Sequence, residues 1–413
     1  MKKYLDLLIH NLRKYPLMSA LALLIIFPPI GIFCMFILGG KEIYRTIKAR
    51  KGIPFDSITV LFLVMFLSSI GAALQELQWS YLGISLSIVG FYGVYLFTLT
   101  QNKVTQIRYF SWVIIFGGVY QYIFGLFNQF LFSVGWTNNI IGYLTGSQLL
   151  GFLSHNRLYG SAYNPNYSAF LLVFAMGFLL AELLKVFRTK AFKRLYLYMP
   201  LIVLIIAGIL ATGSRSGFGA MLFMFGIFLL RLSWKITVVA CTLVLLNGFW
   251  LYHYIPRSYD IFANFSTRMF IWKNSIELIL EYPQFGLTPL GFPEKYFYHT
   301  GHQAAHAHNI FLAFFADFGI IAGFVFIGLT TAVMINFIKL LKYSRSKTLF
   351  DWFLFSMPIL GLTGLLDFPL SSPQIALPAL ILVSMWQQYI GRTNHSFKHW
   401  HALLREKKVP DPS

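Results

Sequence analysis

The 413-residue chain is 57% hydrophobic and 18% aromatic, and only 11% of its residues are charged. Soluble domains carry about 25% charged residues, so this composition excludes a soluble protein and predicts one that crosses a membrane several times. The 33 Lys and Arg residues outnumber the 14 Asp and Glu residues, which gives a formal net charge of +19. Such an excess fits either a nucleic-acid partner or the basic cytoplasmic loops of a membrane protein, and the positions of the charges distinguish the two.

The apolar runs predict an all-α bundle. A spanning helix needs about 20 mostly apolar residues. Ten runs approach this length, at 57–74, 81–99, 108–132, 168–184, 196–211, 217–231, 236–252, 309–338, 352–366 and 374–390. An eleventh run, 16–40, contains Pro28 and Pro29 at its middle, and proline interrupts helical hydrogen bonding. We expect a hairpin of two short helices there, for about 12 membrane segments in all; a single span with the N-terminus outside is the alternative.

The basic residues set the orientation. If 57–74 enters the membrane from the cytoplasm, 27 of the 33 basic residues lie in cytoplasmic segments. The outer face then keeps Arg157, Arg215, Arg257, Arg268, Lys273 and Lys295. Both termini are predicted to be cytoplasmic, and residues 1–413 are expected to form one integral membrane domain. Orientation accounts for the positive excess, so no nucleic-acid partner is predicted.

Two predicted outer segments, 133–167 and 253–308, are too long to be simple connectors. The second should contain a helix from Thr267 to Tyr282, with Ser266 as its N-cap and Pro283 after its end. Apolar residues recur at helical spacing on this segment, at Met269, Trp272, Ile276, Ile279 and Leu280. We expect this face to lie on the membrane surface or on the outer ends of the bundle.

The outer arginines are candidates for binding an anion. Arg215 lies in the short turn 212–217 between two spans, where a cation loses hydration unless a partner compensates. It could snorkel to a lipid phosphate or bind an anionic substrate. Arg268 opens the expected loop helix, where the helix dipole disfavours a cation, and this favours an anion opposite it. Two guanidinium groups can bind a diphosphate in bidentate fashion.

A group of histidines precedes the span that begins at Asn309, namely His299, His302, His306 and His308. A zinc site is one interpretation, but no Cys or clustered carboxylate completes a ligand set, and only Glu294 is close in sequence. A neutral imidazole at a helix entrance suits a general base instead. We therefore expect His308 to act as a base, and we expect no metal ion and no cofactor.

These features resemble the bacterial O-antigen ligases. His308-Asn309 followed by Gly319 and Gly323 is similar to the His-Asn-x9-Gly-xxx-Gly signature of that family, and the long outer loop before it resembles the loop of the O-antigen ligase and polymerase superfamily. Further similar motifs are Arg268-xxx-Trp272 followed by Pro283 and Gly286, the Thr-Gly-Ser-Arg-Ser turn at 212–216, and Arg157-xx-Gly160 followed by Asn164-Pro165-Asn166. The motifs cover about 157–323, and the N-terminal third carries none that matches.

The resemblance implies a membrane glycosyltransferase of the C type, which is inverting and metal-independent. Its donor would be a glycan on undecaprenyl diphosphate, and its acceptor a sugar hydroxyl of lipid A-core or another cell-surface glycan. The reaction would take place at the external face of the bacterial cytoplasmic membrane. His308 matches the general base and Arg215 and Arg268 match the donor diphosphate ligands, while Arg157, His306 and Asn309 are auxiliary candidates.

Two other functions stay open. A polymerase of lipid-linked repeat units would use the same residues with a lipid-linked acceptor. A flippase or transporter of lipid-linked glycans would also have about 12 segments, but charged or unwound sites should then lie near the membrane midplane. The predicted spans hold few ionisable residues, chiefly Glu182 and Asp317, and this favours the enzyme.

Overall fold

The computed structural model describes residues 14–50, 52–134, 157–248, 253, 255–258, 261–343 and 347–406. The predicted outer segment 133–167 lies mostly outside these residues, as do the first 13 and the last seven residues, which were expected on the cytoplasmic side. Every regular element in the described ranges is helical, which confirms the all-α prediction.

Fourteen α-helices make up the described part of the chain. They are α1 (Pro16–Ile26), α2 (Pro28–Lys48), α3 (Ser57–Gln75), α4 (Leu82–Gln101), α5 (Ile107–Ser133), α6 (Pro165–Thr189), α7 (Leu195–Thr212), α8 (Arg215–Leu232), α9 (Trp234–Leu246), α10 (Ile261–Glu281), α11 (Thr288–Thr300), α12 (Ile310–Tyr343), α13 (Lys347–Gly364) and α14 (Pro373–Glu406). Seven of them, α3 to α8 and α12, are long and apolar enough to cross a membrane. A membrane crossing by α1, α2, α9, α13 and α14 stays a prediction.

The proline pair divides residues 16–40 into two helices, as expected. The helices meet at Phe27, and the backbone of Gly31 lies close against that of Leu24. A break of this kind frees carbonyl groups, which need partners inside the protein when water is absent. Three side chains bind them: Gln374 donates to the carbonyl of Leu24 (3.3 Å), Tyr120 to that of Ile26 (3.2 Å) and Ser161 to that of Ile25. The hairpin is thereby bound to α14, to α5 and to the segment that begins at residue 157.

Helix α6 lies at the centre of the bundle. Its apolar window is 89% buried, and α5, α7, α8 and α13 pack around it. A helix that is apolar on all sides is typical of such a position. Asn164 caps its N-terminus by accepting the backbone N–H of Asn166 (2.8 Å). The polar residues at this end of α6 are therefore held on the most buried of the seven candidate spans.

The other end of α6 is fixed by buried charges. Asp351 of α13 is 2% exposed and pairs with Arg188 of α6 and with Arg231 of α8, whose Nη2 lies 2.7 Å from Oδ1. One carboxylate thus joins three helices. A buried carboxylate is tolerated only when it is paired and hydrogen-bonded in this way. Both arginines belong to the set predicted on the cytoplasmic side.

The outer-loop helix differs from its prediction. Helix α10 begins at Ile261, so Ser266 is not its N-cap and Arg268 lies well inside it. Arg268 therefore does not lie at a helix N-terminus, and that prediction is wrong. The face on the bundle is formed by Ile271, Leu278 and Ile279, whereas Met269, Ile276 and Leu280 are exposed. Apolar residues therefore occupy more than one face of α10. That the exposed apolar residues lie on the membrane surface stays a prediction.

A second loop helix, α11, was not predicted, although Pro289 at its start and Gly301 after its end are ordinary boundary signals. Helix α11 packs on α12, which has a break at Gly319. The connection between α10 and α11 enters this break. The N–H of Ile320 donates to the carbonyl of Pro283 (2.9 Å), and that of Leu287 to the carbonyl of Ala316 (2.8 Å).

Two motif glycines make this contact possible. Gly286 has a φ of +68° and Gly319 a φ of +80°, in the region that glycine adopts without steric cost. A Cβ on Gly286 would lie 2.6 Å from the backbone of Gly319, and a Cβ on Gly319 would lie 2.4 Å from the carbonyl oxygen of Gln284. The predicted outer loop is therefore held against the first turns of α12, which begins two residues after His308.

Candidate active site

His308 is held against a carboxylate that no sequence motif indicates. Its Nδ1 lies 3.2 Å from Oδ1 of Asp367, 59 residues further along the chain. Asp367 follows α13, and the two residues meet because α13 ends beside the start of α12. Asn309 strengthens this junction, since its Nδ2 donates to the carbonyl of Leu365 (3.0 Å).

Asp367 is ionised at neutral pH. Burial alone raises its pKa, but the hydrogen bond with His308, the electrostatic effect of the His306 and His308 rings, and the N–H of Phe368 (2.9 Å) lower it to about 2. Its second oxygen, Oδ2, accepts from Nδ2 of Asn166 (3.0 Å). Donors to both oxygens keep a buried carboxylate negative.

The partners of His308 indicate which of its ring nitrogens can accept a proton. The ionised Asp367 can only accept, so Nδ1 of the neutral imidazole carries the hydrogen and Nε2 keeps its lone pair. The side chain of His308 is 29% exposed, whereas that of Asp367 is 2% exposed. A partly exposed imidazole with a carboxylate behind it is the arrangement that orients a general base.

The backbone of His308 adopts an unusual conformation, with a φ of +49°. Non-glycine residues pay about 1–3 kcal/mol for such a conformation, and they cluster at functional sites. Nε1 of Trp272 donates to the carbonyl of His308 (3.2 Å), and the N–H of His308 donates to Nδ1 of His306 (3.2 Å). Asn309 then caps α12 by accepting the N–H groups of Phe311 and Leu312. These contacts hold the imidazole in place.

His306 is a buried neutral imidazole beside His308. Burial lowers its pKa, the charges of His308 and Arg268 lower it too and that of Asp367 raises it, with a result of about 4. Because Nδ1 accepts from the backbone, Nε2 carries the hydrogen, and it lies 3.2 Å from the hydroxyl of Tyr167 and 3.6 Å from Oδ1 of Asp367. At 8% exposure, His306 supports the pair from behind and His308 faces outward.

Arginines gather around the turn between α7 and α8. Arg157 Nε donates to the carbonyl of Thr212 (2.7 Å), and Arg257 Nε donates to that of Gly213 (3.1 Å). Gly213 ends α7 with a φ of +62°, and a Cβ there would lie 3.5 Å from Nε of Arg157. The guanidinium of Arg157 therefore packs directly on the turn. Arg257 was counted among the outer basic residues but was not predicted as a site residue.

Arg215 and Arg268 complete this arginine cluster. Arg215 is the first residue of α8, so the dipole argument made for Arg268 applies to Arg215 instead. Burial lowers the pKa of Arg268, Arg215 lowers it further and Asp367 raises it. Burial and the charges of Arg257 and Arg215 lower the pKa of Arg157 to about 10, against an opposing effect of Asp367. Guanidinium groups stay protonated in proteins, and the cluster lies beside the His308–Asp367 pair.

The remaining outer candidates lie elsewhere. His299 Nε2 is 2.9 Å from Glu277, and the ring of His302 packs edge-on against Phe270. Lys295 pairs with Glu76 at 2.6 Å, and Lys273 is exposed. Of the six basic residues predicted on the outer face, four therefore converge on the turn.

The ligand atoms of His306, His308 and Asp367 lie within 4.8 Å of one another, close enough to hold a metal ion. Asp367 is a carboxylate next to the histidines, which the sequence did not reveal. The number of possible ligands therefore does not exclude a metal ion, contrary to the prediction. The charges favour another role for these residues. His308 donates its Nδ1 hydrogen to Asp367, Nε2 of His306 is hydrogen-bonded to the hydroxyl of Tyr167, and the arginine cluster repels a cation. That no metal is required stays a prediction.

These features define an integral membrane protein that carries a cationic cluster and a His–Asp pair at one end of a helical bundle. Residues 200–327, from α7 into α12, match the family model described as O-antigen ligase. The match confirms the resemblance seen in the motifs: this segment is similar to the O-antigen ligase and polymerase superfamily, a glycosyltransferase-like family. It contains Arg215, Arg268 and His308, while Arg157 and Asp367 lie outside it. A search of curated proteins finds no significant match.

Proposed function

We propose that the protein is an inverting glycosyltransferase of the O-antigen ligase type. It moves a glycan from undecaprenyl diphosphate to a hydroxyl of lipid A-core or another cell-surface glycan. The reaction takes place at the external face of the cytoplasmic membrane, with both termini in the cytoplasm. The observation that carries the proposal is the arginine cluster beside a partly exposed imidazole that is backed by a buried carboxylate.

The arginine cluster suits the donor. The diphosphate of a lipid-linked glycan is a diester with two negative charges, and it gains a third when its bond to the sugar breaks. Guanidinium groups bind phosphate oxygens in bidentate fashion, and fixed cations in a partly dehydrated site stabilise developing charge without reorganisation. Arg215 and Arg268 hold the diphosphate in this proposal, at the end of the bundle where the lipid tail can remain in the membrane.

The His308–Asp367 pair suits the acceptor. Nε2 of His308 takes the proton of the acceptor hydroxyl as its oxygen attacks the anomeric carbon. The bond from that carbon to the diphosphate oxygen breaks, and its electron pair leaves with undecaprenyl diphosphate. Attack opposite the leaving group inverts the anomeric centre. Asp367 stabilises the imidazolium that forms and keeps its Nδ1–H oriented.

The surroundings of Asp367 favour this single displacement over a retaining mechanism. A retaining glycosyltransferase of the double-displacement kind needs an accessible nucleophile, usually a carboxylate. Asp367 is 2% exposed, and both its oxygens accept hydrogen bonds. It supports the base and is badly placed to attack a sugar.

The break in α12 bears on the transporter alternative. Transporters use unwound helices to line a substrate pathway near the midplane. Here the connection between α10 and α11 fills the break, with hydrogen bonds at Ile320 and Leu287. The break therefore serves to anchor the outer loop, which supports the enzyme.

Purified protein supplied with one defined lipid-linked glycan and candidate acceptors, one at a time, tests the proposal. Mass spectrometry of the product should show a new glycosidic bond to a glycan acceptor and release of free undecaprenyl diphosphate. Extension of a lipid-linked repeat alone would show a polymerase. Movement of the donor across a vesicle membrane without a covalent product would contradict the proposal and indicate a transporter.

Transfer is expected to persist after metal removal, because the arginine cluster already supplies the positive charge that a divalent cation would bring. The measurement is the initial rate after dialysis against EDTA, with residual metal determined in the same sample. Added Mg²⁺ or Zn²⁺ should not increase the rate. A rate that falls in EDTA and returns with one divalent cation would contradict metal independence, and His306, His308 and Asp367 would then be candidate ligands.

A further inference from the structure

The structure assigns Asn166 a positioning role: its side-chain amide joins Arg157 of the arginine cluster to Asp367, the partner of His308. Oδ1 of Asn166 accepts from Nη2 of Arg157 (2.9 Å), and Nδ2 donates to Oδ2 of Asp367 (3.0 Å). This inference rests on the proposed function, in which His308 is the base.

An amide is well suited to this position. The guanidinium of Arg157 can only donate hydrogen bonds and the ionised Asp367 can only accept them, so their common neighbour must offer one acceptor and one donor. The amide also keeps the two charges apart. A direct ion pair with Arg157 would compete with His308 for the carboxylate, whereas the bond from Asn166 occupies Oδ2 and leaves Oδ1 to the imidazole.

Both ends of this connection are anchored. The backbone N–H of Asn166 donates to Oδ1 of Asn164 at the start of the buried helix α6. Arg157 is held by the carbonyl of Thr212, three residues before Arg215. A continuous set of hydrogen bonds therefore leads from the turn of the arginine cluster to the base. It fixes the distance between the bound diphosphate and the hydroxyl that must attack beside it, and a misplacement of about 1 Å can cost about 10²-fold in rate.

The variant Asn166→Ala removes both bonds. It should lower kcat by about 10–10²-fold and leave the donor KM within about twofold, because Arg215 and Arg268 remain in place. Asn274→Ala is the matched control, since Asn274 is buried and, among the described residues, its side chain donates to the carbonyl of Phe270 in its own helix. It should transfer at the wild-type rate.

Asn166→Asp preserves the shape of the side chain, keeps the acceptor for Arg157 and removes the donor to Asp367. The new carboxylate can still accept from Arg157 but repels Asp367, so kcat should fall at least as far as in Asn166→Ala. The added negative charge favours protonation of neighbouring groups, and the acid limb of the kcat profile should move to higher pH. An unchanged kcat and pH profile in this variant would show that Asn166 only holds Arg157, and the inference would be wrong.

Arg157→Lys supplies the independent check, because lysine keeps the charge but not the two-pronged geometry. If Arg157 and Asn166 act as one connection, the double variant Arg157→Lys/Asn166→Ala should have a kcat no lower than that of the slower single variant. A fold-reduction in kcat equal to the product of the two single reductions would contradict the inference. His308→Ala, measured in the same assay, separates the two hypotheses: an active His308→Ala enzyme overturns the proposed function, whereas an inactive one with unimpaired Asn166 variants overturns only the positioning role.

Discussion

Replacing His308 by alanine is expected to abolish detectable glycan transfer. A positioned general base contributes about 10²–10⁴-fold to the rate, and in the described residues His308 is the imidazole that is both partly exposed and backed by Asp367. The measurement is product formation per purified enzyme at saturating donor and acceptor. His299→Ala is a matched control, because His299 pairs with Glu277 away from the cluster, and it should keep near wild-type activity.

The His308→Ala protein should remain folded. Trp272 and His306 bond to the backbone of residue 308, and both contacts survive when the imidazole is removed. The elution volume on size exclusion should therefore stay that of the wild type, whereas the thermal melting temperature in detergent should fall somewhat, because buried Asp367 loses the hydrogen bond of His308. A folded His308→Ala protein that transfers glycan at more than about a tenth of the wild-type rate would contradict the assignment of the base.

Replacing Arg215 by alanine is expected to lower the transfer rate by about 10²–10³-fold, the usual cost of removing one contact to developing charge. Arg215 stands at the start of α8, where it shares the turn with Arg157 and Arg257. Lysine in its place keeps the charge but loses the bidentate geometry, and Arg215→Lys should therefore fall between alanine and the wild type.

Two readouts separate donor binding from other effects of Arg215. Steady-state kinetics with varied donor should show a lower kcat, and protection of the purified protein against thermal unfolding by inorganic diphosphate should be weaker than in the wild type. Lys273→Ala removes an exposed cation outside the cluster and should change neither. Wild-type kcat in Arg215→Ala would indicate that Arg215 only contacts lipid phosphate, the alternative reading of its place at the membrane edge.

Much of the site could be predicted because its members lie next to membrane segments. Hydropathy locates the spans and the basic residues orient them, and together they place Arg157, Arg215, Arg268 and His308 on one side of the membrane. The structure brings these four residues to one end of the bundle. The helix break at Phe27 was predictable for a local reason, since Pro28 and Pro29 cannot continue a helix whatever surrounds them.

Asp367 could not be predicted as the partner of His308, because their contact depends on how α12 packs beside α13. One signal did exist: few acidic residues fall on the predicted outer face, and Asp367 directly follows a predicted span. The start of α10 was missed for a different reason. Ser266 is a good N-cap by residue type, but the helix continues through it to Ile261, and Arg268 therefore lies in the helix interior.

The configuration of the new glycosidic bond tests the proposed mechanism most directly. Purified enzyme is supplied with one donor of known anomeric configuration and an accepted glycan, and the product linkage is determined by the proton coupling constant of its anomeric signal. Inversion is expected, because His308 activates a single attack opposite the diphosphate held by Arg215 and Arg268. Retention would contradict the mechanism, since it would require a nucleophile where the structure has a buried, fully hydrogen-bonded Asp367.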